Sequence, residues 1–288
     1  MKKLAIVITL VISINLIGCS AKIENDKPDN NKEISNKVVQ TIPEENEVDY
    51  SDSFNGINGC AIFFSTEENR YNIYKKELID EQISPYSTFK IISSLMSLSQ
   101  NVTNSADSKL GYDGKVYWRE EWNKDITFEE AFKESCVWYY EKIMDSLDKE
   151  YVQKTLTDLG YGNRDISAWD ESGHNTYWIS SSLKISPMEQ VRVLETIFEG
   201  KSSFDYNDIN LVKDFMLVES NENYSVYGKT GSAKDTNSWF TGFIEKNDKR
   251  TYFAVRINDE SQKMAGSLAK SIALDIIKNI IIFRNSTY

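Results

Sequence analysis

The feature that most constrains the fold is the change of hydrophobic period along the chain. Short β-rich runs bounded by turn residues lie towards both ends, whereas the middle has the 3.6-residue period of helices. We predict five strands, at residues 59–65, 70–76, 225–231, 238–245 and 251–257. Because strands from the two ends can pair, we predict an α/β fold with one five-stranded antiparallel sheet flanked by helices and an inserted all-helical subdomain. A ligand cleft is expected at the seam between these two parts.

Local signals place the helices. One helix is predicted over residues 87–99 and a last amphipathic one over 267–282, on the spacing of their apolar residues. Thr127 is followed by Glu130, and Ser186 by Glu189, which is the spacing of capping boxes at helix starts. These two boxes predict further helices in the middle of the chain.

The first residues have the pattern of a targeting segment. Lys2 and Lys3 precede an apolar run over residues 4–17, which ends in Leu-Ile-Gly-Cys at Cys19. This run is shorter than the roughly 20 residues of a membrane-spanning helix, so residues 1–18 are predicted to be a signal peptide. The ending resembles a bacterial lipobox, which predicts lipidation of Cys19. An uncleaved signal anchor is the alternative, and either arrangement places the remaining chain outside the cytoplasm, anchored to the cell membrane.

Residues 19–50 are rich in Asn, Glu, Lys and Asp and have no periodic apolar face. Such a segment cannot bury enough apolar surface to offset the entropy lost on ordering. We therefore predict a lipid-anchored flexible tether over residues 19–50 and a folded catalytic domain over residues 51–288.

The composition excludes several functions. The net charge of −11 disfavours a nucleic-acid partner, whose phosphates would be repelled. The one histidine, His174, lies in a polar segment and is predicted to be a solvated loop residue, so neither a two-histidine zinc site nor a histidine-based triad is expected. Cys60 and Cys136 show no metal-site spacing and are predicted to be buried free thiols. No metal is expected.

The first motif with chemical content is Ser87-Thr88-Phe89-Lys90. Side chains three positions apart lie on one face of a helix, so the Ser87 hydroxyl and the Lys90 amine can approach each other. A serine nucleophile needs a neighbouring base, and a lysine in apolar surroundings can be that base because burial lowers its pKa. Alone, the motif is weak evidence for a nucleophile, since a helix-capping serine followed by a surface lysine has the same sequence pattern.

The second motif is Lys229-Thr230-Gly231, which lies in a β-rich run. Lys229 and Thr230 are suited to bind an anionic carboxylate, and the glycine allows a ligand to approach the backbone closely. The alternative is an exposed hairpin in which the lysine has no binding role.

Together, the two motifs resemble those of penicillin-binding proteins and serine β-lactamases. Three further segments resemble the class D, or oxacillinase-type, enzymes: Ser135-Cys136-Val137, Tyr161-Gly162-Asn163, and Trp178 followed by Leu183-Lys184-Ile185-Ser186. No Ser-Asp-Asn of the class A enzymes is present. The resemblance covers residues 54–283.

The resemblance implies that Ser87 is acylated as a β-lactam ring opens. Lys90 would carry a carbamate (N6-carboxylysine) formed from carbon dioxide, and no other cofactor is implied. The carbamate would act as general base, Trp178 would donate its indole N–H to it, and Ser135 would relay a proton to the ring nitrogen.

The resemblance also implies the residues that bind substrate. Lys229 and Thr230 would bind the substrate carboxylate, and the backbone N–H groups of Ser87 and Ser232 would form the oxyanion hole. Val137 would contribute to the apolar lining that excludes water from the site. The implied partner is a β-lactam, and the implied function is hydrolysis that confers antibiotic resistance.

Some positions depart from the pattern or leave alternatives open. Many class D enzymes have an arginine after the last strand that pairs with the substrate carboxylate, but residues 258–268 contain only Lys263 as a cation. Trp169 is an alternative to Trp178, and Trp178 itself is open to interpretation as an ordinary core aromatic residue. Tyr161 and Asn163 are interpreted as structural turn residues rather than catalytic ones.

Two rival functions share part of this motif set. A β-lactam-sensing penicillin-binding domain would be acylated without turnover, and such sensors are normally attached to several membrane helices and a metalloprotease. A cell-wall transpeptidase or carboxypeptidase would share the motifs at Ser87 and Lys229 but would not be expected to carry the Tyr-Gly-Asn and tryptophan segments.

Overall fold

The computed structural model describes residues 42–170, 173–233, 237–258 and 266–285, with side chains in the last helix described as far as residue 281. Thr41–Tyr288 is one compact unit. The predicted signal peptide, Cys19 and most of the predicted tether lie outside the described residues. Within the described ranges, no helix combines the length and apolarity needed to cross a membrane.

The described strands form one mixed sheet. They are β1 (Glu44–Glu47), β2 (Gly59–Ser65), β3 (Arg70–Tyr74), β4 (Leu217–Ser220), β5 (Ser225–Ser232), β6 (Ser238–Lys246) and β7 (Lys249–Ile257). Their order across the sheet is β1-β3-β2-β7-β6-β5-β4. The β1–β3 pair is parallel and every other neighbouring pair is antiparallel. Pairing of β2 with β7 joins strands from the two ends of the chain.

The prediction of five antiparallel strands is therefore wrong in number and in the direction of one strand. All five predicted strands are present, as β2, β3, β5, β6 and β7. The sheet also contains β1 and β4, which lie at its two edges. The side chains of β1 are exposed, and those of β4 are exposed or only partly buried. Edge strands without a buried face show no alternating apolar pattern, so the sequence did not reveal them. β1 lies within the segment predicted as tether, so among the described residues strand pairing already begins at Glu44.

The helices cover both faces of the sheet. They are α1 (Ser51–Phe54), α2 (Lys90–Ser99), α3 (Phe128–Lys133), α4 (Val137–Asp145), α5 (Lys149–Asp158), α6 (Pro187–Phe198), α7 (Tyr206–Phe215) and α8 (Gly266–Asn285). The predicted capping boxes are confirmed at Thr127 before α3 and at Ser186 before α6. The helix predicted from Ser87 differs at its start, because Tyr86–Phe89 forms a 3₁₀ turn and the α-helical part begins at Lys90.

The sheet separates two apolar cores. Along β2, Ala61 and Phe63 face the core that contains α8, whereas Ile62 and Phe64 face the core that contains the middle helices. Successive side chains of a strand point to opposite faces, so a strand that is buried on both faces reads as a continuous apolar run. Cys60 and Cys136 are buried free thiols, as predicted.

Candidate active site

Ser87 lies on the 3₁₀ turn that precedes α2. Its side chain is partly exposed, while those of Tyr86 and Thr88 on either side are buried. The Tyr86 N–H donates to the Trp178 carbonyl at 3.1 Å, and the Thr88 hydroxyl accepts from Gln190 Nε2 at 2.8 Å. Tyr86 has a φ of 50°, a left-handed conformation that costs energy in a bulky residue. The turn therefore holds one hydroxyl outwards on a rigidly anchored, strained backbone.

Lys90 lies at the first position of α2 and is completely buried. Its Nζ lies 4.2 Å from the ring centroid of Trp178 and 4.6 Å from that of Tyr140, and it has no hydrogen-bond partner among the described residues. Burial, and then the charge of Lys229, hold the pKa of the amine well below its ordinary value of 10.5. The site therefore favours the neutral amine, and Nζ makes no direct hydrogen bond with the Ser87 hydroxyl.

Trp178 is the tryptophan beside Lys90, but its indole N–H points elsewhere. It donates to the Asn175 carbonyl at 3.1 Å, whereas the resemblance implied donation to a carbamate on Lys90. An indole has one N–H, so this hydrogen bond occupies its only donor. Trp178 instead presents its ring face to the amine. Trp169 packs on the Tyr177 ring, with the ring centroids 5.6 Å apart.

Lys229 and Ser135 meet on the opposite side of the site. The Lys229 Nζ donates to the Ser135 Oγ and also to the Thr230 carbonyl, the latter at 3.3 Å. Ser135 has a φ of 54°, so a second site serine is on a strained backbone. Burial, and then the charge of Arg119, lower the pKa of Lys229 to about 7. The two lysines of the site are therefore both easier to deprotonate than an exposed lysine.

Gly231 lets β5 approach the turn that carries Ser87. A Cβ at this position would lie 2.8 Å from the Pro85 carbonyl oxygen and 3.1 Å from the Thr88 Cγ2. Both distances are shorter than ordinary van der Waals contact, so only glycine fits without a shift of the strand or the turn. The glycine of the Lys229 motif thus fixes the spacing between the two motifs.

The two motifs lie on a cleft with a volume of about 1040 Å³. Five of the predicted site residues line it, namely Ser87, Ser135, Val137, Thr230 and Ser232. The other three, Lys90, Trp178 and Lys229, are buried behind this lining. The structure therefore brings together residues that are far apart in the sequence, as expected from the motifs.

Sequence reasoning missed several residues that line the cleft. They include Arg119 and Glu141, together with the aromatic residues Tyr117, Trp118 and Trp122. The aromatic residues are concentrated in a polar loop segment, and Glu141 follows Val137 by one helical turn on the same face of α4. These two signals were available in the sequence.

Arg119 is the cation that the described part of the cleft offers besides Lys229. Its Nη2 lies 2.9 Å from a carboxylate oxygen of Glu134, so the guanidinium is held in place. Lys263, the cation noted from the sequence, lies outside the described residues. Among the described residues, no group of three or more His, Cys, Asp or Glu side chains is placed to bind a metal ion.

The Tyr161-Gly162-Asn163 segment is a structural turn. The Asn163 side chain donates to the Ser182 carbonyl at 2.8 Å and accepts from the Lys184 N–H at 2.9 Å. Gly162 has a φ of 49°, and a Cβ there would lie 1.8 Å from the Lys184 carbonyl oxygen. This geometry supports the structural interpretation of Asn163.

A central sheet covered by helices, with the Ser87 turn facing the Lys229 strand, defines the class of serine transpeptidases and β-lactamases. The family model described as "Penicillin binding protein transpeptidase domain" matches residues 49–278, so the chain belongs to that family.

Its relatives include receptors and β-lactamases. The chain is 32% identical over 237 residues to the regulatory protein BlaR1 of Staphylococcus aureus, covering 81% of this chain and 39% of BlaR1. It is 31% identical over 229 residues to the probable β-lactamase YbxI of Bacillus subtilis, covering 79% of this chain and 82% of YbxI. The chain thus spans about two fifths of the regulatory protein that it matches.

The solved structures that resemble this chain also include both a receptor domain and β-lactamases. The C-terminal domain of the Bacillus licheniformis BlaR penicillin-receptor is 30% identical, with a TM-score of 0.76, covering 82% of this chain and 96% of that domain. A class D β-lactamase from Bacillus subtilis is 31% identical, with a TM-score of 0.75, covering 81% of this chain and 95% of the enzyme.

Proposed function

We propose that the protein hydrolyses the β-lactam amide bond of penicillin-type antibiotics through an acyl-enzyme on Ser87, and so confers antibiotic resistance. The single observation that carries this proposal is the buried, unpartnered amine of Lys90 directly after the turn that bears Ser87. A buried amine without a partner is costly, and its retention points to chemical use. Similarity to β-lactamases that match this chain over most of their length supports the same conclusion.

Carbamylation of Lys90 by carbon dioxide fits this site. The reaction needs an unprotonated amine, and burial between the Trp178 and Tyr140 rings supplies one. The carbamate would replace the neutral amine as the general base on this side of the cleft. In the free form Lys90 remains a neutral amine, kept away from water by the two rings.

The opposite wall is suited to the remaining steps. Lys229 donates to Ser135, which leaves the Ser135 hydroxyl proton free to pass to the departing ring nitrogen. We propose that Lys229 and Thr230 bind the substrate carboxylate, with Arg119, which lines the cleft together with Thr230, as an additional cation. The N–H groups of Ser87 and Ser232 would stabilise the negative charge on the carbonyl oxygen, and Val137 supplies an apolar wall.

Hydrolysis is tested by mixing the protein with nitrocefin and following absorbance beyond one equivalent. We expect repeated turnover by the wild type and none by Ser87→Ala. Ser99→Ala, at the exposed end of α2, is the matched control and is expected to retain turnover. If the Ser87→Ala variant still turned over nitrocefin, Ser87 would not be the nucleophile.

The carbamate is tested separately. Activity should fall in acid, where the Lys90 amine is protonated and carbon dioxide is lost, and bicarbonate should restore it. If bicarbonate changes nothing and Lys90 carries no added mass, the general base is not a carbamate, even for an enzyme that turns over nitrocefin.

A β-lactam-sensing domain that is acylated without turnover is the second candidate function. The similarity to the BlaR penicillin-receptor domain, which is matched over 96% of its length, favours it. The nitrocefin experiment separates the two functions, because a sensor would give one burst and then remain as an acylated protein detectable by intact mass.

We also propose that Cys19 is lipidated and that the domain lies outside the cytoplasm on the bacterial membrane. The basic start, apolar run and Leu-Ile-Gly-Cys ending support this localisation. We expect Cys19→Ser to move the protein from the membrane fraction to the soluble fraction. Retention of the variant in the membrane would instead indicate an uncleaved anchor.

A further inference from the structure

Glu141 is an acidic residue on the wall of the cleft for which the proposed mechanism has no use. It lies on α4 one turn after Val137, and both residues line the cleft. Its side chain is partly buried, burial raises the pKa of the carboxyl group, and it accepts no hydrogen bond from the described residues. A partly desolvated carboxylate without a partner is unfavourable, so a cationic group that entered the cleft would be stabilised there.

Nearby cations do not neutralise Glu141. Lys90 lies close enough to influence its pKa, but burial favours the neutral form of that amine. His174, the largest cationic influence on Glu141, is exposed and lies 2.9 Å from a carboxylate oxygen of Asp145. Lys115 is exposed and pairs with Asp113 at 3.4 Å. The negative charge of Glu141 therefore remains available to a ligand.

The surroundings of Glu141 also suit an ammonium group. Tyr117 lines the same cleft as Glu141, and burial, then the charges of Asp113 and Glu141, raise the pKa of its phenol. A cleft lined by both a carboxylate and an aromatic ring is a favourable environment for an ammonium ion, because both groups attract positive charge. Arg119 pairs with Glu134 at 2.9 Å. The charges that act on Lys229 include those of Arg119 and Glu134 but not that of Glu141.

We propose that the cleft selects β-lactams that carry a primary ammonium group on the side chain, with Glu141 binding the ammonium beside Tyr117. The cleft then has a cationic part for the ring carboxylate and an anionic part for the side-chain amine. Its preferred ligands are zwitterionic penicillins. This proposal rests on the proposed function, because it assumes that a β-lactam reaches Ser87.

The test compares ampicillin with benzylpenicillin, which share a phenyl side chain and differ by one α-amino group. The measured quantity is the ratio of kcat/KM for the two penicillins, or of acylation rates if turnover stops at one equivalent. We expect the wild type to favour ampicillin, and Glu141→Gln to lower the ratio by about tenfold, the effect of one charge-assisted hydrogen bond. Glu150→Gln, an exposed residue of α5, makes the same chemical change away from the cleft and should keep the wild-type ratio.

Two outcomes overturn the proposal while leaving the proposed function intact. One is a wild type that reacts with both penicillins at equal efficiency, and the other is a ratio that Glu141→Gln does not change. A variant that loses activity equally on both penicillins belongs to the second outcome, and thermal unfolding then shows whether its fold is damaged. If neither penicillin acylates wild-type Ser87, the proposed function fails and this inference fails with it.

Discussion

Lys90 is buried without a hydrogen-bond partner, and this arrangement opposes folding. In the unfolded chain the amine has an ordinary pKa near 10.4 and is protonated at neutral pH. The folded protein holds the pKa far lower and so binds fewer protons. The folded state is therefore penalised below pH 10, increasingly as the pH falls towards the folded pKa.

Replacing Lys90 by methionine should stabilise the protein while abolishing its activity. Methionine has a similar shape and no donor, so we expect a gain of ~1–3 kcal/mol in the free energy of unfolding, the cost of an unsatisfied buried donor. Denaturant unfolding in decarbonated buffer at pH 7 measures the gain without a contribution from the carbamate. A variant less stable than the wild type would show that the amine is satisfied in solution.

Lys229 should make substrate binding depend on pH near neutrality. Its pKa of about 7 means that the amine is charged below pH 7 and becomes neutral above it. We expect the KM for a penicillin to rise between pH 7 and pH 9, because the attraction to the ring carboxylate weakens. Arg119 also lines the cleft as a second cation, so binding is expected to weaken rather than be lost.

The methyl ester of the same penicillin is the control for the pH profile, since it lacks the carboxylate. Its KM should not rise over the same interval. Equal profiles for the acid and the ester would assign the pH dependence to another group, such as Lys90 or Glu141.

At the scale of elements, the site depends on how closely β5 approaches the turn that bears Ser87. The contact is made at Gly231, while the turn is held from other sides by Trp178, Gln190 and the Trp239 indole, which donates to the Ser84 carbonyl at 3.1 Å. No one element contains the site, so its geometry depends on packing between a strand and a turn.

Substituting Gly231 by alanine should separate these two elements. The added Cβ would clash with the Pro85 carbonyl oxygen at 2.8 Å, and a displacement near 1 Å is expected to lower kcat/KM by about 100-fold. Ser225→Ala, at the other end of β5, is the control and should retain activity. If Gly231→Ala hydrolysed nitrocefin at the wild-type rate, the strand and the turn would have to accommodate the added Cβ without changing the site.

At the scale of the whole molecule, the site and the first described strand lie near opposite edges of the sheet. The site lies along β5, near the edge formed by β4, whereas β1 lies at the opposite edge. The side chains of β1 are exposed and its only strand partner among the described residues is β3. β1 therefore belongs to the sheet, and none of its residues lines the cleft.

Removing β1 should leave catalysis intact. We expect a chain over residues 48–288 to match one over residues 42–288 in nitrocefin turnover and to lose less than about 2 kcal/mol of stability, since a few edge hydrogen bonds contribute modestly. Thermal unfolding and steady-state rates measure the two quantities. A truncated chain that unfolds or loses turnover would mean that β1 is required by the domain core.

The sequence by itself determined what depends on neighbouring residues. Capping at Thr127 and Ser186, the buried strands and the two motifs at Ser87 and Lys229 were all predicted, because caps and apolar periods are set by local hydrogen bonds and sterics. The family followed from the order of these motifs along the chain.

Only the tertiary structure decided what depends on contacts between distant segments. It paired Lys229 with Ser135 across 94 positions, turned the Trp178 N–H towards Asn175, and placed Arg119 and Glu141 in the cleft. It also added the edge strands β1 and β4, whose residues have no alternating apolar pattern because none of their side chains is fully buried. Long-range packing selects among partners that local sequence allows equally, so the pairings and the edge strands had no local signature strong enough to predict them.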